Sequence, residues 1–111
     1  MMKIALTIGG SDPSSGAGIQ QDLKVFSSLG IYGLSVVTCI TAQNLSKFYY
    51  AKFLDKETIE RQIDSILDEF EVDGIKIGLI NKEIGEILYK RLKELSNNFA
   101  IVFDPIMQST T

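Results

Sequence analysis

The chain has 111 residues, of which 45% are hydrophobic and 23% charged, a composition typical of one small globular domain. The net charge is −3 and no Lys/Arg cluster stands out, which excludes a nucleic-acid partner bound through a basic surface. The absence of histidine excludes His-based general base chemistry and most zinc sites.

The first elements are a strand and a helix. The apolar run IALTI at 4–8 predicts a buried strand, and apolar residues at three- to four-residue spacing predict a helix over 17–29. The residues on its apolar side are Ile19, Leu23, Phe26 and Leu29. We expect Ser14 or Ser15 to cap the helix start, and Gly30 lies where a C-terminal glycine belongs.

A second strand and a second helix follow. The run GLSVVTCIT at 33–41 is rich in β-branched residues and predicts a strand. The polar and aromatic stretch at 42–55 predicts a flap or a short extra strand. A helix is predicted over 55–70, with Asp55 as its N-cap. Its apolar face contains Ile59, Ile63, Ile66, Leu67 and Phe70.

The remaining elements complete an alternating order. We predict a strand at 74–80, a helix at 82–95 and a strand at 100–104. Alternation of apolar strands with helices indicates a three-layer α/β/α fold with a mainly parallel sheet covered on both faces. No apolar run approaches the roughly 20 residues of a membrane span, so we expect no membrane partner. A single cysteine and the lack of a signal peptide favour the cytoplasm.

The loop GGSDPSSGAG between the first strand and helix resembles a phosphate loop but matches neither common template. The motif G-x-G-x-x-G would start at Gly16 and Gly18, but Gln21 replaces its last glycine. The P-loop motif fails because Ala17 follows Gly16 where lysine is required. From spacing alone, a simple glycine-rich turn and a ligand loop both remain open. A ligand loop is favoured by its position after the first strand and by Asp12, whose carboxylate suits a hydroxyl group.

Three motifs carry a resemblance to a known family. The stretch ALTIGGSDPSSGAGIQQDLKVFSSLGIYGLSVVTCITAQN resembles the opening of the hydroxymethylpyrimidine/phosphomethylpyrimidine kinases of thiamine biosynthesis. KIGLI is similar to that family's K-I-G-M-L, and VFDPIM to its D-P-V-M segment. The resemblance covers essentially the whole chain. It implies that 1–111 is a single partial domain, the substrate-binding N-terminal half of a ribokinase-like fold.

The resemblance implies a set of substrate-binding residues around a pyrimidine ring. They are Gly10, Asp12, Ala17, Gln43, Leu79 and Ile106. The Gln43 carboxamide offers a donor and an acceptor, which match the ring nitrogen and exocyclic amine of an aminopyrimidine. Without the resemblance, Gln43 is a polar residue at a strand end. Leu79 and Ile106 could equally be ordinary core residues.

We also state expectations for Asp104, Lys76, Cys39 and the aromatic residues at 48–50. By resemblance, Asp104 lies near Mg²⁺ and the phosphates of ATP; without it, an Asp before Pro105 is a common turn. Lys76 alternates with apolar neighbours and is expected to point to solvent, with no role. Cys39 is expected to be a small buried hydrophobe. The aromatic residues at 48–50 are expected to cover the substrate or to form edge or subunit packing.

The family's chains are much longer, and the absent part contains the nucleotide pocket and the catalytic base. We therefore expect no catalytic base in this chain, which needs the missing half in cis or in trans. The chain is a fragment of a full kinase, one product of a split gene, or a stand-alone module. The resemblance implies an ATP-dependent kinase of hydroxymethylpyrimidine and its monophosphate, and a homo-oligomer. The alternatives are a pyridoxine-type kinase on the same fold and a non-catalytic pyrimidine-binding or interaction module.

Overall fold

The computed structural model describes residues 2–95 and 99–104. Strands and helices alternate along this part of the chain. In order they are β1 (Ile4–Ser11), α1 (Gly18–Ser28), β2 (Tyr32–Gln43), β3 (Phe48–Phe53), α2 (Lys56–Leu67), β4 (Gly74–Ile77), α3 (Lys82–Leu92) and β5 (Ala100–Phe103). No helix within the described ranges has both the length and the apolar character needed to cross a membrane.

All five strands belong to one sheet in the order β3-β2-β1-β4-β5. The pairs β1–β2, β1–β4 and β4–β5 are parallel, and β3 adds to β2 in the antiparallel direction as an edge strand. The mainly parallel α/β sheet is therefore confirmed. Within the predicted flap or extra strand at 42–55, the structure has the strand β3.

The two faces of the sheet carry different side chains because successive residues of a strand point to opposite sides. Leu6 and Ile8 of β1 are fully buried and belong to the cluster formed with α2 and α3. Thr7, between them, faces the other way and bonds to a side chain of α1. The sheet thus has α1 on one face and α2 with α3 on the other, as the three-layer prediction requires.

The start of α1 differs from the prediction. Its N-cap is Ala17, with no side-chain cap, so the prediction of Ser14 or Ser15 is wrong. Ser14 instead bonds to Asp12, and Ser15 adopts a positive φ of 63° inside the loop. The predicted glycine at the helix end is confirmed, since Gly30 has φ +74°.

Several other ends differ from the predictions. Leu29, expected on the buried side of α1, is 68% exposed because the helix ends one residue earlier. Phe70 lies beyond the end of α2 but still packs against the core. β4 and α3 end at Ile77 and Leu92, earlier than predicted. The Asp55 cap is confirmed, since its carboxylate accepts a hydrogen bond from the Thr58 amide at 3.2 Å.

Candidate functional site

A cavity of about 220 Å³ opens at the carboxyl ends of β1, β2 and β4. Open α/β sheets bind ligands at this edge. Its wall includes six of the predicted site residues: Gly10, Asp12, Ala17, Gln43, Leu79 and Asp104. Ile106 lies outside the described residues. A larger groove of about 490 Å³ runs between α3 and β5, but its lining is mostly apolar and offers few polar groups to orient a ligand.

Asp12 organises the loop that forms one wall. Its side chain is buried and accepts hydrogen bonds from the Ser14 amide at 2.8 Å, the Ser14 hydroxyl at 2.7 Å and the Ala17 amide at 2.8 Å. Burial raises the pKa of Asp12, but the hydrogen bonds from Ser14, Ala17 and Gly16 outweigh it and lower the pKa below its ordinary value. The contacts of this carboxylate are with its own loop, so its binding to a substrate hydroxyl stays a prediction.

The loop is pressed closely against the end of β1. Gly18, the first residue of α1, has φ +65°, and a Cβ there would lie 2.5 Å from the Gly10 carbonyl oxygen. Gln20 holds the same junction, because its side chain accepts from the Asp12 amide and donates to the Ser11 hydroxyl. A Cβ on Gly10 would lie 2.9 Å from Cδ2 of Leu79, so glycine there keeps the cavity open beside that side chain.

Gln43 lies at the end of β2 and is held by a neighbour that the sequence reasoning missed. Its Nε2 donates to Oγ1 of Thr41 at 2.8 Å, and Thr41 Oγ1 lies 2.7 Å from the Ser11 carbonyl oxygen. The Thr41 hydroxyl has one proton, which must go to the carbonyl, so it can only accept from Gln43. This relay sets the orientation of the Gln43 amide. A threonine two residues before Gln43, and so on the same strand face, was the available signal.

A charged network beside the cavity was also not predicted from the sequence. The Lys76 ammonium contacts the Asp22 carboxylate, and Thr7 Oγ1 donates to Asp22 Oδ2 at 2.7 Å. Both Lys76 and Asp22 line the cavity. The expectation that Lys76 points to solvent is wrong, because its side chain is only 31% exposed and lies against α1. The available signal was a lysine inside an otherwise apolar strand, which needs a charge partner.

Asp104 follows β5 directly and is exposed at the edge of the cavity. Its backbone amide donates to the Ile77 carbonyl at 3.0 Å, which ties it to β4. Among the described residues, no group of three or more acidic, cysteine or histidine side chains is arranged to hold a metal ion. A single carboxylate suits Mg²⁺ only together with water and phosphate oxygens, so a metal role for Asp104 stays a prediction.

Two further predictions concern Cys39 and the aromatic residues. Cys39 is fully buried, as predicted, and burial raises the pKa of its thiol, which disfavours the thiolate form. Phe48 lines the cavity, whereas Tyr49 and Tyr50 are 61% and 56% exposed. The aromatic group is therefore divided between the cavity and the outside of the edge strand β3.

A sequence model of the family described as phosphomethylpyrimidine kinase matches residues 12–111. The chain belongs to this family. The hydroxymethylpyrimidine/phosphomethylpyrimidine kinase of Aquifex aeolicus is 40% identical over 107 residues, which cover 96% of this chain and 42% of that protein. The chain therefore spans less than half the length of this curated relative of the phosphomethylpyrimidine kinase family.

Solved structures agree with the family and with the ribokinase-like fold. The crystal structure of phosphomethylpyrimidine kinase from Clostridium difficile matches with a TM-score of 0.87 and 42% identity, covering 93% of this chain and 48% of that one. The pyridoxal kinase of Staphylococcus aureus, solved with AMP-PCP and pyridoxal, matches with a TM-score of 0.83 and 34% identity. That match covers 98% of this chain and 41% of the pyridoxal kinase.

Proposed function

We propose that this chain is the pyrimidine-binding part of an ATP-dependent kinase that phosphorylates 4-amino-5-hydroxymethyl-2-methylpyrimidine and its monophosphate. The observation that carries the proposal is the Gln43 amide, oriented by Thr41 at the wall of a cavity with glycine backbone around it. Membership of the phosphomethylpyrimidine kinase family supports the same substrate class.

The chemistry of the cavity suits a small polar ring. Its volume of about 220 Å³ fits a single substituted ring better than a nucleotide. The Gln43 amide complements the ring nitrogen and exocyclic amine, since it supplies both a donor and an acceptor. The Asp22 carboxylate supplies an acceptor for an amino or hydroxyl group. Gly10, Ala17 and Leu79 are proposed to contact the ring, and Ile106 keeps its predicted ring contact as part of this proposal.

The nucleotide and metal are proposed to meet the pyrimidine at the Asp104 side of the cavity. The AMP-PCP bound to the Staphylococcus aureus pyridoxal kinase supports ATP as the phosphoryl donor. Mg²⁺, held by Asp104 together with phosphate oxygens and water, would neutralise charge on the transferred group. The catalytic base and the nucleotide pocket come from further polypeptide, in cis or in trans. A homo-oligomer and a cytoplasmic location stay predictions from the sequence.

A pyridoxine-type kinase is the second candidate, and the likeness to the pyridoxal kinase with bound pyridoxal favours it. Pyridoxine lacks the exocyclic amine that Gln43 would recognise. A polar group left without its partner costs binding free energy, so a site built for the amine discriminates against pyridoxine.

The test is steady-state kinetics of the intact protein, with ATP and Mg²⁺, on the aminopyrimidine and on pyridoxine. We expect a higher kcat/KM for the aminopyrimidine. Gln43→Ala should lower that value by about tenfold or more and lower the value for pyridoxine less. Gln21→Ala, a change of the same residue type on the exposed side of α1, is the control and should alter neither.

The outcomes separate the candidates. An equal loss on both substrates after Gln43→Ala would contradict the role of Gln43. A preference for pyridoxine would replace the proposed substrate by the second candidate. Binding of the pyrimidine without any turnover, with every natural partner present, would leave only the non-catalytic binding module.

A further inference from the structure

The Asp22 carboxylate at the cavity wall accepts hydrogen bonds from side chains of two different strands, one at each oxygen. Asp22 lies in α1, one turn after the helix starts, and its side chain is 15% exposed. Oδ1 accepts from the Lys76 ammonium of β4, and Oδ2 accepts from the Thr7 hydroxyl of β1 at 2.7 Å. Among the described lining residues, Lys76 is the one with a positive charge.

The sheet register explains how the two donors reach one carboxylate. Thr7 and Lys76 are partners in the parallel pairing of β1 with β4, so their side chains lie side by side on the same face. Their strand neighbours Ile8, Ile75 and Ile77 point to the opposite, apolar face. A lysine at this position interrupts an apolar strand, which is unfavourable unless its charge is paired. Asp22 provides that pairing.

Two donors on opposite oxygens restrict rotation of a carboxylate, because turning the group breaks both hydrogen bonds. Each carboxylate oxygen has a further lone pair that Lys76 and Thr7 do not use, and Asp22 lines the cavity. A fixed acceptor costs less conformational entropy when a ligand binds than a mobile one does. This arrangement is therefore suited to presenting Asp22 to an N–H or O–H donor.

We propose that Lys76, together with Thr7, is a positioning residue that holds the Asp22 carboxylate toward an amino or hydroxyl donor of the bound ligand. The inference rests on the proposed function, which makes that ligand an aminopyrimidine with a hydroxymethyl group. Lys76 acts through Asp22 and does not itself touch the ligand. Removing Lys76 therefore has no further effect once the Asp22 charge is gone.

The test uses affinity of the intact protein for 4-amino-5-hydroxymethyl-2-methylpyrimidine, measured by calorimetry, together with kcat and KM. The variants are Lys76→Met, Asp22→Asn, the double variant, and Lys76→Arg. In the double variant both members of the Lys76–Asp22 pair are neutral. No unpaired charge is then left in the site to destabilise the fold. Arg91→Met is the matched control, because Arg91 is 33% exposed and pairs with Glu60 and Asp64 away from the cavity.

We expect Lys76→Met to raise Kd and KM by about tenfold, with a smaller change in kcat. The double variant should bind no more weakly than Asp22→Asn alone, and Lys76→Arg should recover most of the affinity. Arg91→Met should lower the melting temperature without changing Kd. Additive losses in the double variant would overturn the proposal in favour of direct contact between Lys76 and the ligand. An unchanged Kd in Lys76→Met would mean that the Lys76–Asp22 ion pair has only a structural role.

The result of a second measurement does not depend on the identity of the ligand. If the unaltered protein does not bind the pyrimidine, the proposed function fails. The crystal structure of Lys76→Met then decides the positioning role. An Asp22 carboxylate turned away from Thr7 would support it, and an unchanged orientation would overturn it.

Discussion

Asp12 shows how one side chain shapes the loop at the candidate site. Its carboxylate bonds to two amides and a hydroxyl of the residues that follow it, and so fixes the turn between β1 and α1. These are charge-assisted hydrogen bonds, stronger than bonds to a neutral group. The loop therefore depends on the ionised form of Asp12.

This dependence predicts how stability changes with pH. Burial opposes the shift, but the hydrogen bonds to Asp12 bring its folded-state pKa below the ordinary value of 3.8. A lowered pKa adds stability that is present above the unfolded value and is lost as the pH falls through the folded value. We expect the free energy of unfolding of Asp12→Asn to lie below that of the unaltered protein at neutral pH. The gap should narrow only in acid, below 3.8.

The measurement is urea denaturation of both proteins across the acid range. Asp55 also has a lowered pKa, because of hydrogen bonds from Thr58, but it is present in both proteins and cancels in the difference. A gap between the two proteins that stays constant through the acid range would contradict the assignment.

At the scale of the elements, the site depends on how closely α1 approaches β1. Gly18 begins the helix with φ +65°, and the space for a side chain there is taken by the Gly10 carbonyl and the Asp12 amide. Gly30, just after the same helix, also has a positive φ of +74° but has nothing within 4 Å of the place a Cβ would take. Backbone strain would affect a side chain at either glycine, whereas close packing would affect one only at Gly18. Comparing the two positions therefore separates the two effects.

We expect Gly18→Ala to lower the free energy of unfolding more than Gly30→Ala. The Gly30 variant introduces only the left-handed strain of a non-glycine residue, about 1–2 kcal/mol. The Gly18 variant adds a steric clash that forces α1 away from β1, and it should also weaken pyrimidine binding. Chemical denaturation and calorimetry of the two variants provide the comparison, and equal losses of stability would contradict the packing argument.

At the scale of the whole molecule, the described sheet has an uncovered side at β5. Ile101, Val102 and Phe103 are between 50% and 60% exposed, and Ile101 and Phe103 line the apolar groove between α3 and β5. The Aquifex relative extends well beyond the matched region, since the chain covers 42% of it. We expect the further polypeptide of the proposed function to cover this edge.

If further polypeptide covers β5, the same substitution should have different effects in the 111-residue chain alone and in the protein that includes that polypeptide, called the intact protein here. Val102→Thr should change the free energy of unfolding of the chain alone by less than about 0.5 kcal/mol, because the side chain faces water there. In the intact protein it should cost about 1–2 kcal/mol, since a hydroxyl enters an apolar contact. Val25→Thr on the exposed side of α1 is the control. Equal effects of Val102→Thr in both forms would mean that β5 stays uncovered.

Much of this fold was predictable because it follows from local patterns. Apolar residues at helical or strand spacing bury one face whatever their partners are, so each predicted helix and strand is present in the structure. The Asp55 cap and the glycine after α1 also depend only on neighbours in the sequence. The ends were less predictable: Ser14 fits a helix cap locally, but Asp12 binds it instead.

The residues of the candidate site also divide into those that the sequence motifs predicted and those that depend on tertiary contacts. The motifs around Gly10, Gln43 and Asp104 pointed to residues that the structure brings to one cavity. Lys76 and Thr41 were missed because their roles depend on side chains from other elements. Lys76 meets Asp22 only where β4 lies beside β1 under α1, and Thr41 reaches Ser11 only across the β1–β2 pairing. Hydrogen bonds and ion pairs between distant segments form only when the sheet has set its register, so they were decided by the tertiary structure.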